Sequence, residues 1–259
     1  MQNKKNKRTN TKLKSLYNKV YKGGKTKFFT FPTDYITKEV LANVSFKGKK
    51  VLEVGCGTGE TAHAIARAGG NVYAVDYAGE AIKIAESKYQ HQNLRYGTAR
   101  YQDVKDTFDI IVIQETLEHL DNPLKDLRNL KKMLRPKGKI VITTPSFTNV
   151  RGYVWMTLLL LFKVPMSLSD VQYLSPFDFV EWAKKLDMRL AWHTFNFDLG
   201  NNEKMIYDLW TRKRLSNALR DAGMIGDVKA LIAWLTKVST YDHKNKFSGA
   251  KGFYILTKK

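Results

Sequence analysis

Short apolar runs separated by longer amphipathic segments set the architecture of this chain of 259 residues. The runs fall at about 51–54, 71–76, 108–114 and 139–144, and the segments between them have the length and spacing of helices. Nearly continuous apolar runs are typical of parallel strands buried on both faces, and parallel strands need crossover helices. The pattern therefore predicts an α/β fold built on a doubly wound, mostly parallel sheet.

Weaker signals predict the remaining elements. Further strands are expected at Asn93–Tyr96, Met188–Phe197 and Gly252–Thr257. Helices are expected at Thr37–Val44, Gly79–Tyr89, Pro123–Leu134, Ser175–Leu186, Glu203–Ala222 and Asp227–Val238. A further helix is expected after the first strand, running through Ala62–Arg67. Candidate capping residues are Thr58 or Thr61 for this helix, Asn122 or Asp121 before Pro123, and Ser175 before Pro176.

The strongest chemical signal is a glycine-rich turn at the end of the first predicted strand. It reads Glu-Val-Gly-Cys-Gly-Thr-Gly over residues 53–59. Glycines at 55, 57 and 59 let the backbone bend sharply and let a ligand approach it closely. The spacing differs from the G-x-G-x-x-G dinucleotide pattern, and the G-K-[ST] end of a phosphate-binding P-loop is absent. Glu53 would repel a pyrophosphate at the mouth of such a site, and it suits a ligand that carries a cationic amine.

A second acidic residue, Asp76, ends the second predicted strand about twenty residues beyond the glycines. In a doubly wound sheet, ligands bind at the carboxyl ends of the strands near the point where the strand order reverses. A carboxylate there can accept hydrogen bonds from both hydroxyls of a ribose. The alternative is that Asp76 caps the helix predicted at Gly79–Tyr89.

Four landmarks in consecutive order resemble the class I S-adenosylmethionine (SAM) methyltransferases over roughly residues 45–196. They are the glycine turn, Asp76, the stretch F-D-I-I-V-I-Q-E-T-L-E-H-L at 108–120 and the stretch L-R-P-K-G-K-I-V-I-T-T-P at 134–145. The resemblance implies a Rossmann-like, seven-stranded sheet with helical insertions, SAM as the cofactor and methyl transfer as the activity. Within this family the chain resembles the ubiquinone-biosynthesis O-methyltransferases, which carry T-A-E after strand three and M-E-x-L-E-H-V after strand four. Arg100 and Gln114 depart from those patterns and leave the quinone substrate open.

The resemblance also implies a set of cofactor-binding residues at the ends of the first four strands. The set is Glu53, Gly55, Cys56, Gly57, Gly59, Asp76, Tyr77, Thr98, Ala99 and Gln114. Thr98 and Ala99 are expected to contribute mainly backbone contacts, because the next residue is Arg100 where many members of the family carry an acid that meets the adenine amine.

The residues after strand four carry the candidate chemistry. Glu115, Glu118 and His119 follow it, and on a helical turn Glu115 would neighbour both of the others, at i+3 and i+4. In some ubiquinone methyltransferases the corresponding positions bind a magnesium-type ion, so the resemblance implies a metal set of these three residues with Mg²⁺. Two alternatives stay open: His119 is the base that deprotonates an acceptor hydroxyl, or it only packs under the loop.

Insertions and the N-terminus define the predicted domain organisation. Residues 1–27 form a basic arm, and residues 28–259 form the methyltransferase domain with a lid-like insertion at 147–175 and a helical insertion at 201–250. The apolar run Val154–Phe162 is about half the ~20 residues that a spanning helix needs. It is expected to line a pocket as a lid, or to contact a membrane surface.

Composition bounds the partners and the compartment. The net charge of +20 predicts attraction to an anionic lipid surface, a nucleic acid or an acidic substrate, with a solvated basic surface as the alternative. The single cysteine, Cys56, rules out an intrachain disulfide and favours a cytoplasmic protein, with a membrane-peripheral location as the alternative. The function expected is methyl transfer to oxygen of a small-molecule or lipid-like acceptor. The alternatives are an RNA methyltransferase and an inactive SAM-fold scaffold subunit, and the sequence leaves the oligomeric state unspecified.

Overall fold

The fold is described from a computed structural model of the chain. The described residues are 34–164, 172–195, 202–211, 214–239 and 247–259, together with Ser15, Asn18 and Lys22. The predicted basic arm at 1–27 and the short helix expected within it lie outside the described residues, apart from those three positions.

Seven strands form one sheet, in the order β3-β2-β1-β4-β5-β7-β6. The strands are β1 (Lys50–Val54), β2 (Asn71–Asp76), β3 (Leu94–Thr98), β4 (Phe108–Gln114), β5 (Leu134–Pro145), β6 (Met188–Phe195) and β7 (Lys251–Lys258). β1 pairs in parallel with β2 and with β4, β2 pairs in parallel with β3, and β4 pairs in parallel with β5. The predicted doubly wound, seven-stranded and mostly parallel sheet is confirmed.

Helices alternate with these strands. In the described residues they are α1 (Asp34–Asn43), α2 (Glu60–Arg67), α3 (Gly79–Lys88), α4 (Pro123–Lys132), α5 (Val150–Phe162), α6 (Pro176–Lys185), α7 (Asn202–Thr211), α8 (Arg214–Asp221) and α9 (Val228–Ser239). Two 3₁₀ turns follow β3 and β4, at Tyr101–Asp103 and Leu117–His119. None of the helices in the described ranges is long and apolar enough to cross a membrane.

The chain order across the sheet fixes where a ligand can bind. The chain winds outward from β1 through β2 to β3, and then returns to place β4 on the other side of β1. The connections that leave β1 and β4 at their carboxyl ends therefore diverge, which opens a crevice between them. Both central strands are packed on both faces, since the adjacent residues Val51 and Leu52 of β1 and Ile111 and Val112 of β4 are all completely buried.

Two of the expected helix starts can be compared directly with the structure. Asn122 caps α4, because its side-chain oxygen accepts a hydrogen bond from the Lys125 N–H at 3.1 Å. The expectation for α2 is wrong. Its N-cap is Gly59, in the left-handed conformation with no side-chain capping bond, because the glycine turn leads straight into the helix. Neither Thr58 nor Thr61 takes the capping role.

The chain divides into two compact units. The first contains the described residues up to Thr143 together with 181–191 and 254–259, and the second contains 144–180 and 192–253. The first unit therefore holds β1 to β4 with α1 to α4. The described parts of both predicted insertions, 147–175 and 201–250, fall in the second unit. The predicted domain boundary and the lid role of the first insertion stay predictions.

A separate apolar core holds the helices of the second unit together. Trp155 of α5 is buried in it with Ile206 and Leu209 of α7, Leu215 of α8 and Leu235 of α9. One helix was predicted at Glu203–Ala222, whereas the structure has two, α7 and α8. At about 100° per residue, a continuous helix would turn Leu215 roughly 120° away from Leu209. The break lets both leucines face the same core.

Candidate cofactor and active site

The glycine turn after β1 is tied to the end of β2. The N–H groups of Gly55 and Cys56 both donate to the carbonyl oxygen of Val75, at 2.8 and 3.1 Å. Gly55, Gly57 and Gly59 have φ angles of 73°, 53° and 88°. Residues other than glycine rarely adopt these left-handed φ values, so the turn needs glycine at positions 55, 57 and 59.

Two of these glycines are also required by space. A Cβ atom on Gly55 would lie 2.5 Å from the Thr116 hydroxyl oxygen. A Cβ atom on Gly59 would lie 2.6 Å from the Tyr96 hydroxyl oxygen and 2.9 Å from the Ala85 Cβ atom. The buried Tyr96 hydroxyl has no hydrogen-bond partner in the described part of the chain. The turn is therefore closely packed, and the Tyr96 hydroxyl beside it remains available to a ligand.

Glu53 lies on β1 just before this turn, and its position corrects the expectation of an anion at the mouth of the site. The side chain is completely buried, with 2% of its surface exposed. Burial raises the pKa of Glu53 to about 8, and repulsion from Glu60 and Asp76 adds to the rise. Its Oε2 atom has no hydrogen-bond partner among the described residues. A cation brought close to Glu53 would stabilise the carboxylate, so this buried acid fits a ligand that carries an amine or a sulfonium.

Asp76 joins two loops through its carboxylate. Its Oδ2 atom accepts a hydrogen bond from the Gly57 N–H at 3.0 Å, and its Oδ1 atom accepts one from the Ala78 N–H at 2.8 Å. Burial raises the pKa of Asp76, although these two N–H groups oppose the rise. The alternative that Asp76 caps α3 is wrong, because the N-cap of that helix is Ala78 and no side chain caps it. Each carboxylate oxygen keeps a second lone pair, which suits the hydroxyls of a ribose.

The structure brings the next predicted residues to the same place. Thr98 is the register partner of Asp76 across β2 and β3, and the Ala99 N–H donates to the Asp76 carbonyl oxygen at 3.0 Å. Tyr77 follows Asp76 directly. Burial is the main cause that raises the pKa of the Tyr77 phenol, and the nearby Asp76 carboxylate raises it further. Asp76, Tyr77, Thr98 and Ala99 therefore line the carboxyl ends of two neighbouring strands.

A chain of hydrogen bonds that the sequence analysis missed holds Gln114 at the end of β4. The Thr61 hydroxyl donates to the Gln114 Oε1 atom at 3.0 Å. The hydroxyl oxygens of Thr37 and Thr61 lie 2.6 Å apart. Because the single proton of Thr61 goes to Gln114, Thr37 must donate to Thr61. No sequence signal marks this link, since the residues are 24 and 53 positions apart.

The residues after β4 do not form the predicted metal set. Glu115 has a φ of 49°, and its N–H donates to the Thr143 carbonyl oxygen at 2.9 Å, so it lies before the 3₁₀ turn and not on a shared helical face. Glu118 is buried, with 3% of its surface exposed. Among the described residues, no three His, Cys, Asp or Glu side chains gather into a group that could hold a metal ion. The structure therefore contradicts the predicted Mg²⁺ site, because Glu115, Glu118 and His119 do not form a group that could hold the ion.

His119 ends the 3₁₀ turn that follows β4. Its N–H donates to the Thr116 carbonyl oxygen at 3.1 Å, and the side chain is partly exposed. The Thr116 hydroxyl in turn donates to the Gln114 carbonyl oxygen at 2.9 Å. The backbone of the turn is therefore fixed directly to the end of β4. The role of His119 as a base stays a prediction.

Comparison with known proteins identifies the family. A family model described as a methyltransferase domain matches residues 29–223. The chain is 30% identical over 163 residues to a ubiquinone biosynthesis O-methyltransferase of Coxiella burnetii (strain Dugway 5J108-111), and the match covers 59% of this chain and 69% of that protein. It is 31% identical over 132 residues to the mitochondrial ubiquinone biosynthesis O-methyltransferase of Schizosaccharomyces pombe, covering 48% of each. The chain thus spans about half the length of that second relative.

The fold is similar to that of magnesium protoporphyrin IX methyltransferase from Synechocystis PCC 6803, solved with bound SAH. The TM-score is 0.60 at 11% identity, over 96% of this chain and 100% of that chain. At that identity the likeness concerns the fold alone. Because the family model spans most of the chain and the sheet has the family's architecture, this protein belongs to the class I SAM-dependent methyltransferases, with SAM as its cofactor.

Proposed function

We propose that this methyltransferase transfers the methyl group of SAM to an oxygen atom of a small-molecule or lipid-like acceptor. The observation that carries the proposal is the position of His119, which ends a turn fixed to the end of β4 beside the crevice of the sheet. Both curated relatives described above are named O-methyltransferases, which supports oxygen as the acceptor atom. Arg100 and Gln114 differ from the pattern of that group, so the quinone acceptor is not carried over.

The cofactor is assigned to the residues that converge at the ends of β1, β2 and β4. Asp76 holds the ribose hydroxyls, and the backbone of Thr98 and Ala99 lies against the adenine with Tyr77. The glycine turn, with Cys56 inside it, carries the methionine part of SAM. Glu53 faces the positive charge of that part, and Gln114 closes the site from β4. The buried Oε2 atom of Glu53 and the turn that excludes a Cβ at Gly59 support this assignment.

The reaction is an in-line displacement at the methyl carbon. When bound, SAM would supply an electrophilic methyl group to the acceptor oxygen and would leave as the neutral thioether. The proton of the acceptor hydroxyl passes to the His119 imidazole, which acts as the general base. Holding the two reactants in line can be worth several kcal/mol of the barrier.

The test uses the purified full chain, methyl-labelled SAM and a lipid and metabolite extract as the acceptor pool. We expect mass spectrometry to find the label on an oxygen of a small molecule or lipid. His119→Gln should lower the labelling rate by about 10²-fold or more, as expected for the loss of a general base, and it should leave SAM affinity unchanged. His91→Gln, in the loop before β3, is the matched control and should behave as the parent.

Other outcomes of the same experiment would overturn the proposal. Label found on RNA, with none on small molecules, would favour the RNA methyltransferase. Absence of SAM binding by calorimetry would favour the scaffold subunit. Full activity of the His119→Gln protein would remove His119 as the base.

A further inference from the structure

An open groove of about 630 Å³ lies in the second unit, next to the connection between α8 and α9. Trp210 from the end of α7 lines it together with Leu219, Met224 and Ile225, and the charged side chains of Arg220 and Lys229 also line it. The groove is lined by residues of the second unit, whereas the residues assigned to SAM belong to the first unit, so the cofactor site does not explain the groove.

The connection is built to hold its shape. The Gly223 N–H donates to the Arg220 carbonyl oxygen at 2.9 Å, and the Met224 N–H donates to the Leu219 carbonyl oxygen at 2.8 Å. With Gly223 at a φ of 69°, this is the Schellman arrangement that ends α8. Three residues after Met224, Asp227 caps the next helix, since its Oδ1 atom accepts a hydrogen bond from the Ala230 N–H at 2.9 Å. The tip between these two caps, Ile225 and Gly226, is therefore presented by a defined turn.

The tip exposes apolar surface. Ile225 is fully exposed, and Trp210 is 42% exposed. A single exposed apolar residue is ordinary, but a fully exposed isoleucine on a fixed turn beside an indole and an apolar groove forms a patch. Tryptophan is enriched where an apolar phase meets water, because its ring is apolar and its N–H is polar.

The groove carries charged side chains of both signs. Arg220 and Lys229 are exposed, and so is Asp227, whose carboxylate caps α9. Asp221 lies 3.5 Å from the Arg220 Nε atom, and both of these side chains are 73% exposed. The whole chain has a net charge of +20, which adds a long-range attraction to anionic surfaces.

We propose that this patch, Trp210 and Ile225 with Arg220 and Lys229, docks the protein on an anionic lipid bilayer. Ile225 and the Trp210 ring enter the boundary between headgroups and acyl chains, while the two cations meet the lipid phosphates. A second copy of the chain is a poorer occupant, because each copy carries a net charge of +20 and the two would repel each other. For Val154–Phe162 the sequence leaves membrane contact as one of two expectations, and that expectation stays a prediction; the proposal here concerns the α8–α9 connection.

The test is sedimentation of the full chain with lipid vesicles. One set of vesicles contains phosphatidylcholine alone, and the other contains phosphatidylcholine with about 30% of the anionic lipid phosphatidylglycerol. We expect binding to the anionic vesicles and a blue shift of tryptophan fluorescence that Trp210→Phe reduces. Arg220→Gln and Lys229→Gln should each weaken binding about fivefold. Ile225→Asn should weaken it about tenfold or more, with SAM affinity unchanged.

Phe177→Asn is the matched control, since Phe177 is an exposed apolar residue of the same unit on α6. It should bind vesicles as the parent does. The proposal is overturned if the parent ignores anionic vesicles, or if Ile225→Asn binds them as tightly as the parent. Loss of binding in Leu161→Asn but not in Ile225→Asn would assign the contact to α5 instead. A solution dimer that Ile225→Asn dissociates would make the patch an interface between copies.

Discussion

Asp76 accepts a hydrogen bond from the backbone N–H of Gly57 at 3.0 Å, although 19 positions separate the two residues. The bond fixes the glycine turn after β1 to the end of β2. The carboxylate that is proposed to hold the ribose of SAM therefore also shapes the turn that carries the rest of the cofactor. Cofactor affinity and local stability are coupled through one side chain.

This coupling predicts the effect of Asp76→Asn. An amide has one acceptor atom where the carboxylate has two, so its NH₂ group must face either the Gly57 or the Ala78 N–H. We expect SAM affinity to fall at least about tenfold and the free energy of unfolding to fall by about 1–3 kcal/mol. Calorimetric titration and urea unfolding measure the two quantities. Asp106→Asn, an exposed control, should change SAM affinity little, and equal losses in both variants would contradict the prediction.

Glu53 predicts how stability depends on pH without ligand. Its pKa rises from an ordinary value of 4.5 to about 8 on folding, so the folded protein holds the proton more tightly than the unfolded chain. Stability is therefore lost as pH rises from 4.5 to 8, and the loss is complete above that range. Glu53→Gln should flatten this part of the stability curve, measured by urea unfolding at successive pH values. Glu86→Gln, on the exposed face of α3, should leave the slope as in the parent.

Glu53 also predicts proton release when SAM binds. A bound cation would lower the raised pKa of this carboxyl, so near pH 7 binding should expel a proton. The calorimetric enthalpy of SAM binding should then vary with the ionisation enthalpy of the buffer, with up to about one proton released per site. The variation should disappear in Glu53→Gln. An enthalpy independent of buffer in the parent protein would remove Glu53 from the cation's surroundings.

Two glycines allow the cost of backbone strain to be measured separately from the cost of steric crowding. Gly48 and Gly59 both have left-handed φ angles, of 69° and 88°. A Cβ on Gly48 would meet no atom within 4 Å, whereas one on Gly59 would strike Tyr96 and Ala85. Gly48→Ala should therefore cost only about 1–2 kcal/mol of unfolding free energy for the backbone. Gly59→Ala should cost about 1–3 kcal/mol more from overpacking, and it should abolish SAM binding. Equal losses would argue against the crowding.

The Thr37–Thr61–Gln114 chain predicts a non-additive effect. Thr61→Val removes the donor to the partly buried Gln114 oxygen, which should cost about 0.5–1.5 kcal/mol of unfolding free energy. Thr37→Val alone should cost less, and the double variant should cost less than the sum of the two because the residues share one chain. Urea unfolding of the four proteins gives the coupling energy. Strict additivity would show that the bond at 2.6 Å carries no energy of its own.

The sheet could be predicted from sequence because its signal is local. Ile110, Ile111, Val112 and Ile113 form an unbroken apolar run, and all four are buried in β4. Asn122 and Pro123 start α4 by side-chain chemistry that operates within a few residues. Such patterns need no knowledge of the rest of the fold.

The environment of the site residues was harder to predict where contacts with distant parts of the chain determine it. The burial of Glu53 depends on two flanking strands and the turn that follows, so the anion expected at the mouth of the site is a buried acid. Glu115 looked like part of a helical face, but its N–H is taken by Thr143 of β5, which forces the left-handed backbone. The break between α7 and α8 likewise depends on the apolar core that both helices share with Trp155, and no local sequence pattern predicts that core.

The ion pair between Arg151 of α5 and Asp208 of α7 joins the two inserted segments, with only 13% and 6% of the side chains exposed. Removing one charge from a buried pair typically costs 3–5 kcal/mol, because the other is left unpaired. We therefore expect the two segments to fold as one body. A chimera that borrows only the later segment from a related enzyme, to alter acceptor choice, should misfold or aggregate. Grafts that move both segments together are the ones that should give working hybrids.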